Sequence, residues 1–244
     1  LMVLPLTFLE PGEDRALVCS PTFPMITHNL RLSGAQLSEI PLTADLRYDL
    51  AAIERTLDAQ PHRLAIFASP DNPTGASLEP ATVRRWCERF PDTLFVLDEA
   101  YSEYQPEGAS CLPLVRDLPN LAVTRTFSKA WGLAGLRLGY VVAQPELVSY
   151  MVRVRSPYSV NTLAVDAGLR MLEQAPAVHH QAAATMERRA KLIDALRQRG
   201  IDVHAGGGNF FLMKLGLASQ AFMHYAAQRG VLVRDRSAHP ALRG

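Results

Sequence analysis

The feature that most constrains the fold is a regular alternation of strand-like and helix-like segments through the first two thirds of the chain. Residues 63–68 and 93–97 are short, nearly continuous apolar runs, which are typical of strands in a sheet that is covered on both faces. Between them, residues 79–90 predict a helix that Pro80 opens at its first turn. Strand, helix and strand joined by short connections predict an α/β fold, with a mostly parallel sheet flanked by helices.

The other segments of this region follow the same pattern. A buried helix is predicted to run to Phe8, and Leu50, Ile53 and Leu57 have the spacing of a helix with one buried face. With 48% hydrophobic residues, the 244-residue chain can bury a large core. Further strands are predicted at 16–19, 36–42 and 121–126, a further apolar run lies at 138–143, and further helices are predicted at 25–32 and 48–59.

After Pro145 the pattern changes to longer helices and shorter strands. We expect a smaller α+β domain over residues 156–244, following a larger α/β domain over residues 1–155. The chain begins within a helical pattern and ends abruptly, so we expect both domains to be incomplete. The elements predicted here are helices at 146–154, 162–173, 177–200 and 219–229 and strands at 209–215 and 231–234.

Charge and cysteine content disfavour several kinds of function. The net charge of +1 comes from 25 basic and 24 acidic side chains without a basic run, so nothing favours binding to nucleic acid or to an anionic membrane. Every apolar run is interrupted well before the ~18 residues of a membrane span. The three cysteines are widely spaced, which indicates neither a disulfide framework nor a metal site. We expect a cytoplasmic protein without metal, nucleic-acid or membrane partners.

Residues that can carry chemistry cluster after three of the predicted strands. Residues 69–75 follow one strand, residues 98–101 follow another, and Ser128 with Lys129 follows a third. In parallel sheets, ligands bind beyond the carboxyl ends of the strands. The sequence therefore predicts that these three segments meet in one crevice.

Lys129 and its neighbours suit a cofactor that carries an aldehyde and a phosphate. The lysine amine would form a Schiff base with the aldehyde, while Ser128, Arg137 and nearby backbone N–H groups would hold the phosphate. A Ser-Lys pair alone is more often part of a surface loop, so this interpretation depends on the other two segments.

Each residue of the other segments has an ordinary structural interpretation beside the functional one. Asp98 could cap the next helix, or it could keep a pyridine nitrogen protonated while Tyr101 reaches the same ring. Asn72 could belong to an ordinary turn, or it could donate its amide to the cofactor. Phe23 could be a core aromatic, or it could stack on the cofactor face.

Three motifs together show a resemblance to a known family. SPDNPTG, LDEAY and TFSKAWGLAGLRLGY resemble the signature segments of fold type I, class I/II aminotransferases, which use pyridoxal 5′-phosphate. Within that class, three further segments are most similar to histidinol-phosphate aminotransferases: FLEPGEDRALVCSPTFPMI, RSPYSVNTLA and GVLVRDRSAHPALRG. The resemblance extends over essentially the whole chain.

The resemblance implies a role for individual residues of this chain. Lys129 would be the Schiff-base lysine, Asp98 the partner of the pyridinium nitrogen, and Phe23 stands where the family usually stacks a tyrosine. The implied cofactor-binding residues are Phe23, Asn72, Asp98, Tyr101, Ser128, Lys129 and Arg137. The family also has an N-terminal arm and a phosphate-binding glycine segment before the position of Leu1, and a substrate-binding arginine after Gly244. We therefore expect part of the site to lie outside this sequence.

The function implied by the resemblance is transamination of histidinol phosphate with 2-oxoglutarate in histidine biosynthesis, carried out by a homodimer. Aromatic aminotransferases and threonine-phosphate decarboxylases share the same core and stay open as alternatives. Another alternative is the effector-binding domain of a transcription regulator, against which the presence of Lys129 argues.

Two residues near the end of the chain are candidates for contacting the substrate. Arg234 ends the predicted strand 231–234 and could bind a phosphate or carboxylate, or it could belong to a solvated charge cluster. Asn209 follows three consecutive glycines and would lie nearby.

Overall fold

A six-stranded sheet forms the centre of the protein in a computed structural model that describes residues 1–243. The strands are β1 (Arg15–Ser20), β2 (Gln36–Pro41), β3 (Leu64–Ala68), β4 (Leu94–Asp98), β5 (Leu121–Thr126) and β6 (Gly139–Val142). They lie in the order β2-β1-β3-β4-β5-β6, and all pairs are parallel except β5 with β6. The predicted α/β fold with a mostly parallel sheet is confirmed.

Helices cover both faces of this sheet. They are α1 (Val3–Phe8), α2 (Pro24–Leu32), α3 (Leu50–Ala59), α4 (Pro80–Arg89) and α5 (Pro145–Val154). Successive residues of a strand point to opposite faces, so Leu17 and Phe67 pack in one core with α3 and α4, whereas Val18 and Ile66 pack in a second core with α1, α2 and α5. Burial on both faces explains why the strands read as continuous apolar runs in the sequence.

Local signals account for where two of these helices begin. Asp49 caps α3, because its side chain accepts a hydrogen bond from the Ala52 N–H at 2.9 Å. Pro80 occupies the first turn of α4, where a helix does not need the missing N–H. Ile53 and Leu57 are buried, so the predicted apolar face of α3 is confirmed.

The rest of the chain forms a smaller, largely helical part. It contains α6 (Thr162–Glu173), α7 (Ala175–Arg197), α8 (Ser219–Ala227) and an antiparallel pair of strands, β7 (Asp202–His204) and β8 (Leu212–Lys214). The three predicted helices are confirmed, and the predicted strand 209–215 is shortened to β8. The sequence pattern does not predict β7, because three residues are too few to show a period. The domain boundary at residue 155 stays a prediction.

The strand predicted at 231–234 is wrong. Within the described chain these residues belong to neither sheet, and Leu232 is 87% exposed. An apolar run becomes a strand only where a neighbouring strand satisfies its backbone hydrogen bonds. Here β7 and β8 pair with each other instead.

Helix α7, with 23 residues, is the longest of the described helices. Its sequence includes glutamate, arginine, lysine and aspartate side chains. Across residues 1–243, no helix is both long enough and apolar enough to cross a membrane.

A close backbone contact attaches the smaller part of the chain to the large sheet. The Gly207 N–H donates to the Gly75 carbonyl at 2.8 Å, and the His204 ring donates to the Thr74 carbonyl at 2.9 Å. Gly75 has a left-handed backbone with φ +75°, and a Cβ at this position would lie 2.6 Å from the Gly206 Cα. Glycine therefore allows the turn before β8 to lie directly on the loop that follows β3.

Candidate active site

The candidate site lies where four strands end on the same edge of the sheet. The pairing register aligns Ala68 of β3 with Asp98 of β4, and Asp98 with Thr124 of β5. These strands end at nearly the same level, so the loops that carry the predicted residues start side by side. The loop after β1 lies beside the loop after β3, at the point where the strand order reverses.

Asn72, Tyr101 and Lys129 come together in this crevice. The Asn72 amide donates to the Tyr101 hydroxyl at 3.0 Å, and the Lys129 Nζ lies 5.2 Å from the centre of the Tyr101 ring. Tyr101 is buried, whereas Lys129 is exposed. The amine is therefore accessible to a molecule that enters the crevice, beside a phenol whose position is already set.

Asp98 places a buried carboxyl at the end of β4. It is 8% exposed, and its Oδ1 accepts a hydrogen bond from the Thr124 hydroxyl at 3.1 Å. Burial raises the pKa of this carboxyl above its ordinary value, against the opposing effects of the Thr124 hydroxyl, the Ala100 N–H and Lys129. A cationic group beside Asp98 would therefore gain a strong partner and would favour the ionised carboxylate.

Glu99, the next residue, has a structural role. Its Oε2 forms a salt bridge with Arg125 at 2.8 Å, and its Oε1 accepts from the Cys111 N–H at 2.6 Å. Both oxygens are engaged, so this carboxylate connects β4 to β5 and is not free to act on a ligand. The helical turn that follows begins after Tyr101, so the capping role considered for Asp98 is not observed.

Ser128 and Arg137 both lie on the loop between β5 and β6. Ser128 is half-buried, and its N–H donates to the Thr126 hydroxyl at 3.0 Å. Arg137 is exposed, has a left-handed backbone with φ 56°, and donates to the Ala134 carbonyl at 2.9 Å. Because this conformation costs a non-glycine residue about 1–2 kcal/mol, Arg137 is held in a strained state of the kind that often occurs at functional sites.

Phe23 lies directly before α2, on the loop after β1. Its side chain is 37% exposed, whereas core aromatics such as Phe67 and Phe95 are buried. The interpretation of Phe23 as a core aromatic therefore does not hold, and its ring is available to pack against a bound molecule.

Asn209 and Arg234, the predicted substrate contacts, lie in different surroundings. Asn209 is exposed, and its amide donates to the Tyr104 hydroxyl at 3.4 Å. The next residue, Phe210, packs edge-on against Tyr101 with 4.9 Å between the ring centres. Asn209 therefore adjoins the tyrosines of the crevice. Arg234 is exposed and lies outside the strands, and its role stays a prediction.

Two further residues belong to the C-terminal segment GVLVRDRSAHPALRG, although the sequence analysis assigns neither of them a role. His239 Nε2 lies 3.0 Å from the Ser20 hydroxyl at the end of β1, and Arg236 has a buried Nε without a hydrogen-bond partner among the described residues. Burial and the nearby Arg234 lower the pKa of Arg236, while the charge of Asp71 raises it. Ser20 and His239 are 219 positions apart, so no local signal could have paired them.

The groups that converge in the crevice are an amine, a phenol, an amide and a buried carboxyl. In the described part of the chain, no group of three or more His, Cys, Asp and Glu side chains could hold a metal ion. The observed set suits an aromatic ring with polar substituents, which the amine can hold covalently if the ring carries an aldehyde.

Known proteins are similar in sequence to nearly the whole of this chain. Residues 2–242 match the family described as Aminotransferase class I and II. A histidinol-phosphate aminotransferase of Symbiobacterium thermophilum is 39% identical over 228 residues, which cover 93% of this chain and 62% of that protein. An aromatic amino acid aminotransferase of Rhodococcus opacus is 38% identical over 213 residues, which cover 87% of this chain and 58% of that protein. The chain thus spans about three fifths of the length of these curated relatives.

The fold is also found among solved structures. Histidinol-phosphate aminotransferase from Sinorhizobium meliloti, solved in complex with pyridoxal 5′-phosphate, superimposes with a TM-score of 0.86 at 26% identity, covering 96% of this chain and 64% of that chain. The sequence match, the fold and the three motifs agree. The chain belongs to the aminotransferase class I and II family.

Proposed function

We propose that the protein is a pyridoxal 5′-phosphate-dependent aminotransferase that transfers the amino group of histidinol phosphate to 2-oxoglutarate, a step of histidine biosynthesis. The observation that carries this proposal is the convergence of the Lys129 amine with Tyr101 and Asn72 at the carboxyl ends of β3, β4 and β5. Membership of the family over residues 2–242 supports it, and so does the relative of that name at 39% identity.

The residues in the crevice fit pyridoxal 5′-phosphate. When bound, this cofactor supplies an electron-poor aromatic ring that stabilises negative charge on the substrate carbon next to nitrogen. Asp98 can hold the ring nitrogen protonated, because a buried carboxylate interacts strongly with a neighbouring cation. Tyr101 accepts from Asn72, so its own O–H is free to donate to the ring oxygen. Phe23 offers an exposed aromatic face for stacking.

Lys129 is suited both to hold the cofactor covalently and to carry a proton. Of the three lysines in the sequence, Lys191 and Lys214 lie in exposed ion pairs away from this loop, whereas Lys129 is on it. When it is not bound to the cofactor, the Lys129 Nζ would be free to accept the proton of the substrate α-carbon and to hold it for return. Ser128 and Arg137, on the same loop, would hold the phosphate.

The identity of the amino donor is the finer part of the proposal. Histidinol phosphate and an aromatic amino acid both carry an aromatic ring, and they differ in having a phosphate or a carboxylate. The relative from Rhodococcus opacus makes an aromatic amino acid the second candidate donor. We propose that the Arg234 guanidinium binds the phosphate of the donor. We propose that Asn209 contacts the donor or the edge of the cofactor.

We also propose that the protein works as a cytoplasmic homodimer. Val165, Leu169 and Leu172 recur at helical spacing on α6 and are 44%, 60% and 49% exposed. An exposed apolar face of this kind is typical of an interface, and a second copy of the chain would cover it. The three cysteines are buried free thiols, which suits a reducing compartment. We propose no nucleic-acid or membrane partner, since the net charge of +1 favours neither.

The proposed cofactor attachment can be mapped directly. Full-length protein loaded with pyridoxal 5′-phosphate, reduced with borohydride, digested and examined by mass spectrometry should carry the pyridoxyl group on Lys129. Lys129→Arg keeps the positive charge but has no primary amine, so it should remain unlabelled. A label on Lys191 or Lys214 would contradict the assignment.

Asp98→Asn should affect stability and turnover in opposite directions. Without cofactor, burial raises the pKa of Asp98 above its unfolded-state value, so the ionised carboxylate costs stability at pH 7. That cost vanishes below the unfolded-state pKa of about 3.9. The variant should therefore have a higher Tm at pH 7, and the gain should disappear near that lower pH.

With the cofactor bound, the same variant should lose at least about a hundredfold in turnover, since two pKa units on the ring nitrogen correspond to about 2.7 kcal/mol. Asp117→Asn is the matched control, because Asp117 lies in an exposed ion pair with Arg84 and should change neither quantity appreciably. Near-normal turnover of Asp98→Asn would refute the role of Asp98.

Arg234→Ala tests how the donor is recognised. With histidinol phosphate, kcat/KM should fall by roughly ten- to a hundredfold, as expected for loss of a hydrogen bond to a charged group. With an aromatic amino acid the loss should be smaller. Arg229→Ala removes another exposed arginine, which packs on Tyr225, and should leave both donors unaffected. Equal losses for the two donors would mean that Arg234 does not read the phosphate.

The dimer proposal predicts that a charge on α6 separates the subunits. Leu169→Glu should shift the full-length protein from dimer to monomer in sedimentation velocity at micromolar concentration, because it would bury an unpaired carboxylate. Leu192→Glu on α7, where the side chain is 51% exposed, is the control and should leave the dimer intact. A monomeric wild-type protein would rule out the proposal.

A further inference from the structure

One buried hydrogen bond joins the two loops that flank the reversal in strand order. The Thr22 hydroxyl, after β1, donates to Asp71 Oδ1, after β3, at 2.6 Å. Thr22 is 8% exposed and Asp71 is 0% exposed. The bond therefore crosses the crevice edge between β1 and β3, where α/β sheets bind their ligands.

Asp71 is also fixed through its backbone. Its N–H donates to the Ala76 carbonyl at 2.8 Å, and its carbonyl accepts from the Gly75 N–H at 2.6 Å. The main chain of Asp71 thus closes the loop that follows β3, while the side chain reaches the neighbouring loop. A residue that only completed a turn would not need a buried side chain directed at a second loop.

The side chain of Asp71 has an unusual environment for a carboxyl. Oδ2 is buried and has no hydrogen-bond partner among the described residues. Burial raises the pKa of this carboxyl well above its ordinary value and the charge of Asp98 raises it further, while the Thr22 hydroxyl and the N–H groups of Phe23 and Asn72 lower it. In either protonation state, the carboxyl can accept the Thr22 hydrogen bond through Oδ1.

Each partner in this bond adjoins a residue assigned to the cofactor. Thr22 precedes Phe23, which is 37% exposed, and Asp71 precedes Asn72, whose amide donates to the Tyr101 hydroxyl. The hydrogen bond therefore sets the separation between the stacking ring and the amide donor.

We propose that Asp71 is a positioning residue, which holds the Thr22–Phe23 turn against Asn72 so that ring and amide face the same bound cofactor. The proposal rests on the function proposed above. It goes beyond the motif resemblance, which assigns no role to Asp71 or Thr22. Asp71 itself touches neither substrate nor cofactor in this role and acts through its two neighbours.

The first test compares two buried threonines. Thr93 is 5% exposed and donates to the His62 carbonyl at 2.7 Å, at the opposite end of the strands. Thr22→Val and Thr93→Val each remove one buried hydroxyl bond and should each lower Tm by about 2–4 °C. Only Thr22→Val should weaken the retention of pyridoxal 5′-phosphate in the full-length protein, by about tenfold.

Two backbone amides report on the loops without any cofactor. The Ile26 N–H donates to the Phe23 carbonyl, and the Gly75 N–H donates to the Asp71 carbonyl. The hydrogen-exchange rates of these amides therefore measure how often the loops after β1 and β3 open. In cofactor-free protein, Thr22→Val should speed exchange at both amides by about fivefold or more, and Thr93→Val should change neither.

The second test separates the hydrogen bond from the charge. Asp71→Asn keeps an oxygen that can accept from Thr22, so cofactor retention should stay within about twofold of wild type. Asp71→Ala removes the acceptor and should behave like Thr22→Val. Adding Thr22→Val to Asp71→Ala should cause little further loss, because both substitutions remove the same bond.

Three outcomes would overturn the proposal. In the first, Thr22→Val lowers Tm as much as Thr93→Val does but changes neither cofactor retention nor exchange at the Ile26 and Gly75 amides. The bond would then contribute to stability without positioning the loops. Asp71→Asn that loses as much as Asp71→Ala would show that the acceptor oxygen is not what matters. If wild-type protein takes up no pyridoxal 5′-phosphate, the proposed function fails instead, and the exchange at Ile26 and Gly75 alone decides whether Asp71 joins the loops.

Discussion

The parallel pairing of β3, β4 and β5 in one register is the interaction on which the rest of the structure depends. Ala68, Asp98 and Thr124 lie side by side, so three strands end together and their loops open into one crevice. The pairing is stabilised from both faces, because alternate strand residues enter two separate cores. A slip of β3 by one residue against β4 would exchange the faces of the β3 side chains and would move Asn72 away from Tyr101.

Asp98 and Glu99 are adjacent in sequence, but their surroundings leave only Asp98 available to a bound cation. Glu99 forms a salt bridge with Arg125 and accepts hydrogen bonds from the Ser110 hydroxyl and the Cys111 N–H. These contacts link β4 to β5. Asp98 is also buried, but among the described residues it has no salt bridge of this kind, and its pKa is raised by burial. A cation that binds beside it would therefore be strongly attracted to the ionised carboxylate. The fold thus leaves one carboxyl paired and the other able to accept a cationic partner.

Much of the fold could be predicted because its signals are local. Strand and helix periods, the Asp49 cap and Pro80 predict the elements of the large sheet closely, and the three motifs predict which loops carry the site. Prediction failed where pairing decided the outcome. Residues 231–234 have a strand-like composition but no neighbouring strand in the described chain, and β7 forms from three residues because β8 lies beside it.

By itself, the sequence determined the α/β class, the family and the order of the candidate site residues along the chain, because period, turn residues and motif spacing are properties of neighbouring positions. Only the tertiary structure decided that Phe23 is exposed, that Glu99 forms a salt bridge with Arg125, and that the Asn72 amide donates to the Tyr101 hydroxyl. It alone revealed the bond between Thr22 and Asp71. Burial and hydrogen bonding between distant segments depend on how strands are ordered in space, and no local pattern encodes that order.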